Sequence, residues 1–210
     1  MPINNVSPTR MELSNQKKRL KTASRGHKLL KDKQDELVKK FIELIKINQS
    51  LRIEVENELN SAFSDFVVAR ALMSEPAVEN ALSFPVQTAD VKISKKNIMS
   101  VNTPVFKLTI NSIDNNLPYG LAQTSAQLDF AVRKIRQVIE KMVKLAEVEK
   151  SCQLMAEEIV KTRRRVNALE YVMIPNFQET IRVIKMKLDE ADRSTRINLM
   201  KIKSMVQKTN

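Results

Sequence analysis

The sequence predicts a helix-dominated fold, a long antiparallel two-helix coiled coil with a small central α/β module. Only two of the 210 residues are glycine, and 29% are charged. Glycine costs about 1 kcal/mol relative to alanine inside a helix, so its scarcity favours long uninterrupted helices. Apolar residues recur at three- and four-residue spacing along two long segments, and a stretch with period-two alternation separates them. Chains with this composition and heptad spacing are usually coiled coils.

The first long helix is predicted from about residue 10 to residue 74. Thr9 and Glu12 form a candidate capping box at its start, and Pro76 disfavours helix at its end. At about 1.5 Å per residue, such a helix is about 95 Å long. A step of four at Val55–Leu59 follows another step of four, which is a stutter that relaxes supercoiling. The stripe is Leu13, Leu20, Ala23, His27, Leu30, Gln34, Leu37, Phe41, Leu44, Asn48, Leu51, Val55, Leu59, Ala62, Phe66, Ala69 and Met73.

Residues 75–123 are predicted to form the central module. Ser74 is a candidate cap for a short helix over residues 75–82. Apolar and polar residues alternate over 91–94 and again over 106–110, which predicts a β-hairpin. We place its break at residues 102–104, Asn-Thr-Pro. A lone hairpin is marginal in water, so we expect it to lean on the helices or on a partner.

The second long helix is predicted to begin near Thr124, with Gln127 completing a candidate capping box. Pro175 interrupts it, because proline removes a backbone hydrogen bond and clashes one turn back. We expect a kink there, with a complete break as the alternative. The stripe is Leu128, Val132, Ile135, Ile139, Met142, Ala146, Cys152, Ala156, Ile159, Val166, Leu169, Met173, Phe177, Ile181, Ile184, Leu188 and Ala191.

These segments divide the chain into a first long helix over 1–74, a module over 75–123 and a second long helix over 124–210. An antiparallel coiled coil then pairs residue i with roughly residue 198 minus i. Residues beyond about Asp189 have no partner in this pairing. We expect another protein to cover the apolar residues of that tail, which are Leu199, Met200, Ile202, Met205 and Val206.

The residue inventory argues against an enzyme. One histidine and one cysteine cannot supply the usual zinc ligands, and two glycines cannot form a phosphate-binding loop. His27 lies on the first stripe, where packing or an inter-helix hydrogen bond is expected. Cys152 lies on the second stripe and is expected to be a small buried hydrophobe. We therefore predict no catalytic, cofactor-binding or metal site, and no apolar run is long enough to span a membrane.

The net charge of +12 predicts an acidic partner, unless it merely reflects a solvated helix face. One basic cluster is Lys17, Lys18, Arg19 and Lys21, for which we favour partner contact. The other is Lys161 with Arg163, Arg164 and Arg165. In the antiparallel pairing these arginines lie beside Asp32, Asp35 and Glu36. Inter-helix ion pairs and contact with an external acidic partner are both open for them.

Several segments carry a family resemblance over nearly the whole chain. They are the Pro-Thr-Arg of residues 8–10, RGHKLLKDKQDEL at 25–37, KNIMSV at 96–101 and LAEVEKSCQLMAEEIVKTRRRVNALEYVMIP at 145–175. These segments resemble the D subunit of prokaryotic A/V-type rotary ATPases, and their order along both helices is that of the family.

The resemblance implies a non-catalytic central rotor shaft of an ATP synthase or ion-pumping V-type ATPase. In such a complex the terminal helices enter the hexamer of A and B subunits, and the small F subunit binds the side. The base docks on the funnel-shaped C/d subunit above the membrane ring. ATP is bound by the hexamer, and rotation couples its synthesis or hydrolysis to H+ or Na+ transport. The resemblance places the chain on the cytoplasmic side of the plasma membrane, peripheral and not inserted.

Two sets of partner contacts follow as hypotheses. Those with A and B are Lys17, Lys18, Arg25, Arg163, Arg164 and Arg165; those with the F subunit are Phe63, Phe66, Val67, Val132, Ile135 and Ile139, within segments 60–73 and 128–145. Two other functions remain as alternatives. A coiled-coil adaptor would not affect ATPase turnover, and a basic nucleic-acid binder would bind duplex with steep salt dependence. Mixed charge and isolated tyrosines argue against nucleic acid.

Overall fold

Helices dominate the observed architecture, and a single hairpin interrupts them in the part of the chain that the structure describes. The structure, a computed structural model, describes residues 7–83, 87–112, 119–120 and 124–209. The elements in chain order are α1 (Arg10–Leu72), α2 (Glu75–Leu82), β1 (Gln87–Ile98), β2 (Val101–Ser112), α3 (Ala126–Ala168), a π-helical segment (Leu169–Met173) and α4 (Ile174–Thr209). The predicted fold class is confirmed.

Helix α1 begins as its sequence predicts. The Glu12 amide donates to the Thr9 hydroxyl at 3.2 Å, which satisfies one of the orphan amides of the first turn. The Glu12 carboxylate accepts from the Gln16 side chain at 2.8 Å, which is not the contact that a complete capping box would make. Every residue of the predicted α1 stripe is buried or half-buried, including those on both sides of the stutter. The 3-4 spacing therefore identifies the packed face along the whole helix.

The short helix α2 spans the predicted residues, although its cap differs in detail. Ser74 is the residue before the helix, with extended backbone, but its side chain makes no capping hydrogen bond. Its carbonyl accepts from the amides of Ala77 and Val78. Pro76 lies in the first turn, where a missing amide costs nothing because no intrahelical partner exists there.

The hairpin is confirmed, but the predicted position of its turn is wrong. β1 and β2 pair antiparallel around a two-residue turn at Met99 and Ser100, so residues 102–104 lie inside β2. Pro104 is opposite Lys95 and is tolerated because, among the described residues, the sheet has two strands and both are edges. The prediction failed because it took Asn-Thr-Pro as turn material, whereas the turn residues are ordinary ones.

Both turn residues have left-handed backbones. Met99 has φ 53° and Ser100 has φ 71°, the pattern of a type I′ turn, which matches the twist of the flanking strands. Such turns favour Asn-Gly, and L-residues with a Cβ are strained there. Asn97 offsets part of this cost because its side-chain oxygen accepts from the Ser100 amide at 3.0 Å. Met99 also packs its side chain against a buried cluster.

The second long helical segment is capped one residue later in the chain than predicted, at Ser125 instead of Thr124. Ser125 caps α3, since its hydroxyl accepts from the Gln127 amide at 3.3 Å and its carbonyl accepts from Leu128. The Thr124 hydroxyl bonds to the Gly120 carbonyl instead. Most of the predicted stripe residues between 128 and 169 are buried or half-buried, but Met142 and Ala146 are exposed. Val138 and Met155, which the predicted stripe omits, are almost fully buried.

Pro175 is accommodated by a local change of helix type. The π-helical segment Leu169–Met173 precedes it, and the Ile174 amide donates to the Leu169 carbonyl five residues back. Helix continues directly into α4, so the complete break is excluded. A wider π turn fits because the ring of a proline clashes with a carbonyl held four residues back in an α-helix.

Two compact units make up the fold. The first comprises Met1–Glu36 with Val160–Asn210. Within it α1 runs antiparallel to the C-terminal helices: His27 Nε2 lies 3.3 Å from Glu170 Oε2, and Arg10 forms a 3.3 Å ion pair with Asp192. Both contacts lie within a few residues of the predicted pairing. The apolar side chains of Val166 and Ile184 are buried in this unit.

The second unit is Leu37–Ile159, and it contains the hairpin. Here too α1 and α3 are antiparallel, because Asp65 pairs with Lys134 at 2.6 Å and Glu58 with Lys141 at 2.5 Å. One buried cluster joins Ala69, Ala81 and Leu128 near α2; the other joins Leu37, Val101 and Met155, with partly buried Phe41, Leu44, Ile98, Met99, Leu154 and Ile159 around it. The hairpin end therefore packs on the helix pair.

We expect Ser100→Gly to stabilise the protein, because glycine adopts positive φ without the Cβ penalty of about 1 kcal/mol. Ser100 is exposed, and the hydrogen bond of its amide to Asn97 is retained. Denaturant unfolding should show a gain of up to about 1 kcal/mol in the free energy of unfolding. Ser94→Gly, inside β1, is the control and should destabilise instead. A destabilised Ser100→Gly variant would contradict the assignment of strain to this turn.

Candidate partner surfaces

The described residues offer little for catalysis. Among them no group of three histidine, cysteine or acidic side chains is close enough to hold a metal ion. His27 makes an inter-helix contact with Glu170, and its side chain is only 20% exposed. This is the role predicted for it. Cys152 is buried as predicted, and burial, together with the nearby Glu149 carboxylate, raises the pKa of its thiol.

The pKa values of Tyr119 and Lys141 are also raised, and contacts within the fold contribute to both shifts. Burial, reinforced by a 2.7 Å hydrogen bond that the Tyr119 hydroxyl donates to Asp129, raises the pKa of Tyr119 well above its usual range. The hydrogen bond to Glu58 is the main reason why the pKa of Lys141 is raised. A lysine with a raised pKa stabilises the fold below its unfolded pKa, near 10.5, and loses that contribution as pH rises through the folded value. Lys141 therefore contributes its full share at neutral pH.

All six basic residues predicted to contact A and B are exposed, and all lie in the first unit. Lys17 and Lys18 follow the buried Gln16 on α1. Arg163, Arg164 and Arg165 lie between the buried Thr162 and Val166 on α3, so they fan around the solvent side of the helix. Among the described residues, no ion pair joins these three guanidinium groups to a carboxylate. The inter-helix pairing considered for them is absent there, and they face solvent.

The net charge is concentrated in the first unit. Its residues include 21 lysines and arginines but only nine aspartates and glutamates, which leaves +12. The second unit contains 15 of each, which leaves zero. The whole excess charge of the chain therefore lies on the paired ends of α1 and α3 and on α4. This segregation cannot come from a general lysine bias, because such a bias would charge both units.

The residues predicted to contact the F subunit fall into two groups. Phe63 and Val67, one turn apart on α1, are 55% and 65% exposed. Phe66 and Val132 pack in the cluster around Ala69, so most of their surface is used within the chain. Ile135 and Ile139 are half-buried.

Sequence reasoning missed further exposed apolar residues in the same unit, among them two close to the predicted contacts in the sequence. Phe130 on α3 is 53% exposed, and Val68 on α1 is 47% exposed. Each lies outside the 3-4 stripe of its helix. The available signal was their large apolar side chains at positions that the periodicity assigns to solvent, because grouped apolar side chains at a surface are typical of partner contacts.

Helix α4 carries a second exposed apolar surface. Every side chain from Asp189 to Gln207 is exposed, including Ile197 and the five apolar tail residues singled out from the sequence. The expected exposure of this tail is confirmed. In the part of the chain that the structure describes, none of the helices has the length and apolar character required to cross a bilayer.

Paired helices with a segregated charge and exposed apolar residues are typical of a protein that binds other proteins. The comparisons with known proteins make this specific. A family model described as the ATP synthase D subunit matches residues 12–204. The chain belongs to the V-type ATP synthase D-subunit family.

Curated relatives match nearly the full length of the chain. It is 57% identical over 208 residues to the V-type ATP synthase D subunit of Thermoanaerobacter sp., which covers 99% of this chain and 100% of that protein. Proteins of the same name from Fusobacterium nucleatum and Clostridium botulinum are also 57% identical, over 204 and 206 residues. They cover 97% of this chain in each case, and 97% and 95% of their own lengths. Membership of a multi-subunit complex implies partner subunits.

We expect the native Cys152 thiol to react slowly with iodoacetamide at about pH 8. The thiolate is the reactive form, and burial both raises the thiol pKa and blocks access. Denatured protein should react at least about tenfold faster at the same pH. The rate, followed by mass spectrometry, should rise when denaturant opens the second unit. Equal rates in native and denatured protein would contradict the burial of Cys152.

Proposed function

We propose that this chain is the central rotor shaft of a V-type ATP synthase and has no catalytic activity of its own. It transmits torque between the membrane ion-translocating ring and the hexamer of A and B subunits. ATP synthesis or hydrolysis in the hexamer is thereby coupled to H+ or Na+ transport. Membership of the D-subunit family is the observation that supports this proposal best.

Helix packing supports a torque-bearing role. A shaft must resist twisting, and a single helix bends easily, whereas two helices packed along a continuous stripe stiffen each other. The α1 stripe is buried or half-buried from Leu13 to Met73, and cross-helix ion pairs flank it. The near absence of glycine removes the residues at which helices most readily bend.

Charge segregation supports placing the first unit in the hexamer. A shaft that turns must contact successive stator positions and then release them, so each contact must be weak. Exposed ion pairs are weak individually and are screened by salt, yet many of them attract collectively. The +12 excess on the first unit matches an acidic bore of A and B subunits, and Lys17, Lys18, Arg25, Arg163, Arg164 and Arg165 are its proposed contacts.

The neutral second unit carries the remaining proposed contacts. The F subunit binds the segments 60–73 and 128–145, with Phe63 and Val67 as exposed anchors. The funnel-shaped subunit above the ring takes the base of the shaft. The complex holds the chain on the cytoplasmic side of the plasma membrane as a peripheral component.

Size-exclusion chromatography with a reconstituted A/B hexamer, followed by an ATPase assay, tests the shaft directly. Co-elution at one copy per hexamer with altered turnover is the expected result. Separate elution with unchanged turnover would indicate an adaptor, and duplex affinity that falls steeply with salt would indicate a nucleic-acid binder.

We expect the triple reversal Arg163→Glu, Arg164→Glu and Arg165→Glu to weaken hexamer binding about tenfold or more, since each exposed pair contributes about 0.2–1 kcal/mol and reversal also adds repulsion. Coupled ATP hydrolysis should fall in parallel. The matched control is Lys39→Glu, Lys46→Glu and Arg133→Glu, which changes the charge equally on exposed residues of the second unit. Equal affinity of both triple variants would refute a specific role for the arginines. Added salt should weaken binding of the unmodified chain.

We expect the double variant Phe63→Asp and Val67→Asp to lose co-purification with the F subunit while keeping its own stability. Both side chains are more than half exposed, so charge there costs the fold little. The control is Met186→Asp on α4, a similarly exposed apolar residue in the first unit. If the F subunit still co-purifies with the double variant, the two residues are not its anchors.

A further inference from the structure

β1 is the outer strand of the hairpin. All of its side chains from Thr88 to Asn97 are exposed, whereas β2 is half-buried from Pro104 to Phe106. The hairpin end is held firmly, because Val101 is buried beside Leu37 and Met155. β1 is thus fixed at its turn end and exposed along its length, so its edge is accessible to a partner.

One hydrogen bond shows which residues of the two strands direct their backbone N–H and C=O groups toward the partner strand and which direct them outward. In an antiparallel pair, residues alternate between facing the partner strand and facing away. The Phe106 amide donates to the Glu147 carboxylate of α3 at 3.0 Å, so Phe106 faces away from β1. Its partner Ile93 therefore also faces outward. By the same alternation, the backbone N–H and C=O groups of Ala89, Val91 and Lys95 on β1 also point away from β2.

The two outer edges differ in how they are protected. On β2, Pro104 has no amide to donate, and Glu147 occupies the amide of Phe106. On β1, no hydrogen bond from another described element reaches the outward groups of Ala89, Val91, Ile93 or Lys95. Unpaired edge groups of this kind are a template for another strand. Within the part of the chain that the structure describes, β1 is therefore the open edge of the sheet.

Charge distinguishes among the strands that could pair there. The hairpin carries four lysines (Lys92, Lys95, Lys96 and Lys107) against one acid (Asp90), within a unit whose net charge is zero. Lysines on an edge strand repel a second copy of the same edge. The same lysines attract an acidic strand, and exposed Val91 and Ile93 offer it apolar contacts.

We propose that the open edge of β1 accepts an acidic β-strand from another subunit of the ATP synthase, extending the hairpin to a three-stranded sheet. Main-chain hydrogen bonds supply affinity in this mode, and side chains supply specificity. The proposal rests on assembly into the complex, not on rotation.

Amide hydrogen exchange with single-residue resolution tests the edge, first in the isolated full-length chain and then in the reconstituted complex. In the isolated chain the amides of Val91, Ile93 and Lys95 should exchange fast, while those of Lys92 and Ser94, which face β2, are protected. In the complex the three outward amides should slow by about tenfold or more. Fast outward exchange in both samples overturns the proposal. Concentration-dependent protection in the isolated chain would instead indicate a second copy, which also overturns it.

Ile93→Pro is the matching variant, because it removes one outward amide and leaves the bonds to β2, as Pro104 already does on the other strand. In the complex it should abolish the protection of Val91 and Lys95, whereas Ile93→Ala should retain it. Protection of Lys92 and Ser94 in the isolated variant verifies that the hairpin is intact.

If that protection is lost, the triple variant Lys92→Glu, Lys95→Glu and Lys96→Glu is used instead of Ile93→Pro. Protection of the outward amides in the complex that survives this charge reversal overturns an acidic partner. Co-elution with the A/B hexamer, measured separately, reports on the shaft and not on the edge.

Discussion

The antiparallel seam between α1 and the C-terminal helices is the constraint on which the rest of the fold depends. Helical stability in proteins comes mainly from burying an apolar face, and this seam is where the two long helices bury theirs. Leu37, Leu128 and Met155 are almost fully buried on that seam, yet the chain has few aromatics to thicken it into a globular core. The described buried clusters therefore lie along the seam, and α2 and the turn end of the hairpin pack on it.

The central module illustrates this dependence. A two-stranded hairpin is marginal by itself, and this one includes a strained turn at Met99 and Ser100. It is held because Ile98, Met99 and Val101 contribute side chains to the cluster around Leu37, and because Glu147 accepts a β2 amide. α2 likewise contributes Ala81 to the cluster around Leu128. The module uses the seam as its core and leaves β1 exposed.

Periodicity predicted the parts of the fold that depend on repeated, cooperative signals. The α1 stripe, the helix start at Thr9 and the antiparallel pairing each rest on many residues or on a specific cap, and all are observed.

Features that depend on one or two residues were predicted less well. The hairpin turn was missed because Met99 and Ser100 are not turn-type residues and adopt positive φ under tertiary constraint. The π turn before Pro175 was missed because a proline signals a defect but not how neighbouring residues absorb it. The F-subunit surface was predicted only in part, because its candidate residues included Phe66 and Val132 of the packed stripes beside the exposed Phe63.

Charge and packing are distributed in a way that suits a subunit with several partners. In the second unit, acids and bases balance and pair across the helices, as Asp65 does with Lys134 and Glu58 with Lys141. The unit's remaining interaction capacity lies in exposed apolar side chains and in the open, lysine-bearing edge of the hairpin. In the first unit, nine acids cannot neutralise 21 bases, so the excess must be met by solvent ions or by a partner. Apolar and backbone contacts hold a fixed partner well because they release slowly, whereas screened charges form and break quickly. The second unit is therefore suited to partners that stay bound, and the first to a partner whose contacts must exchange.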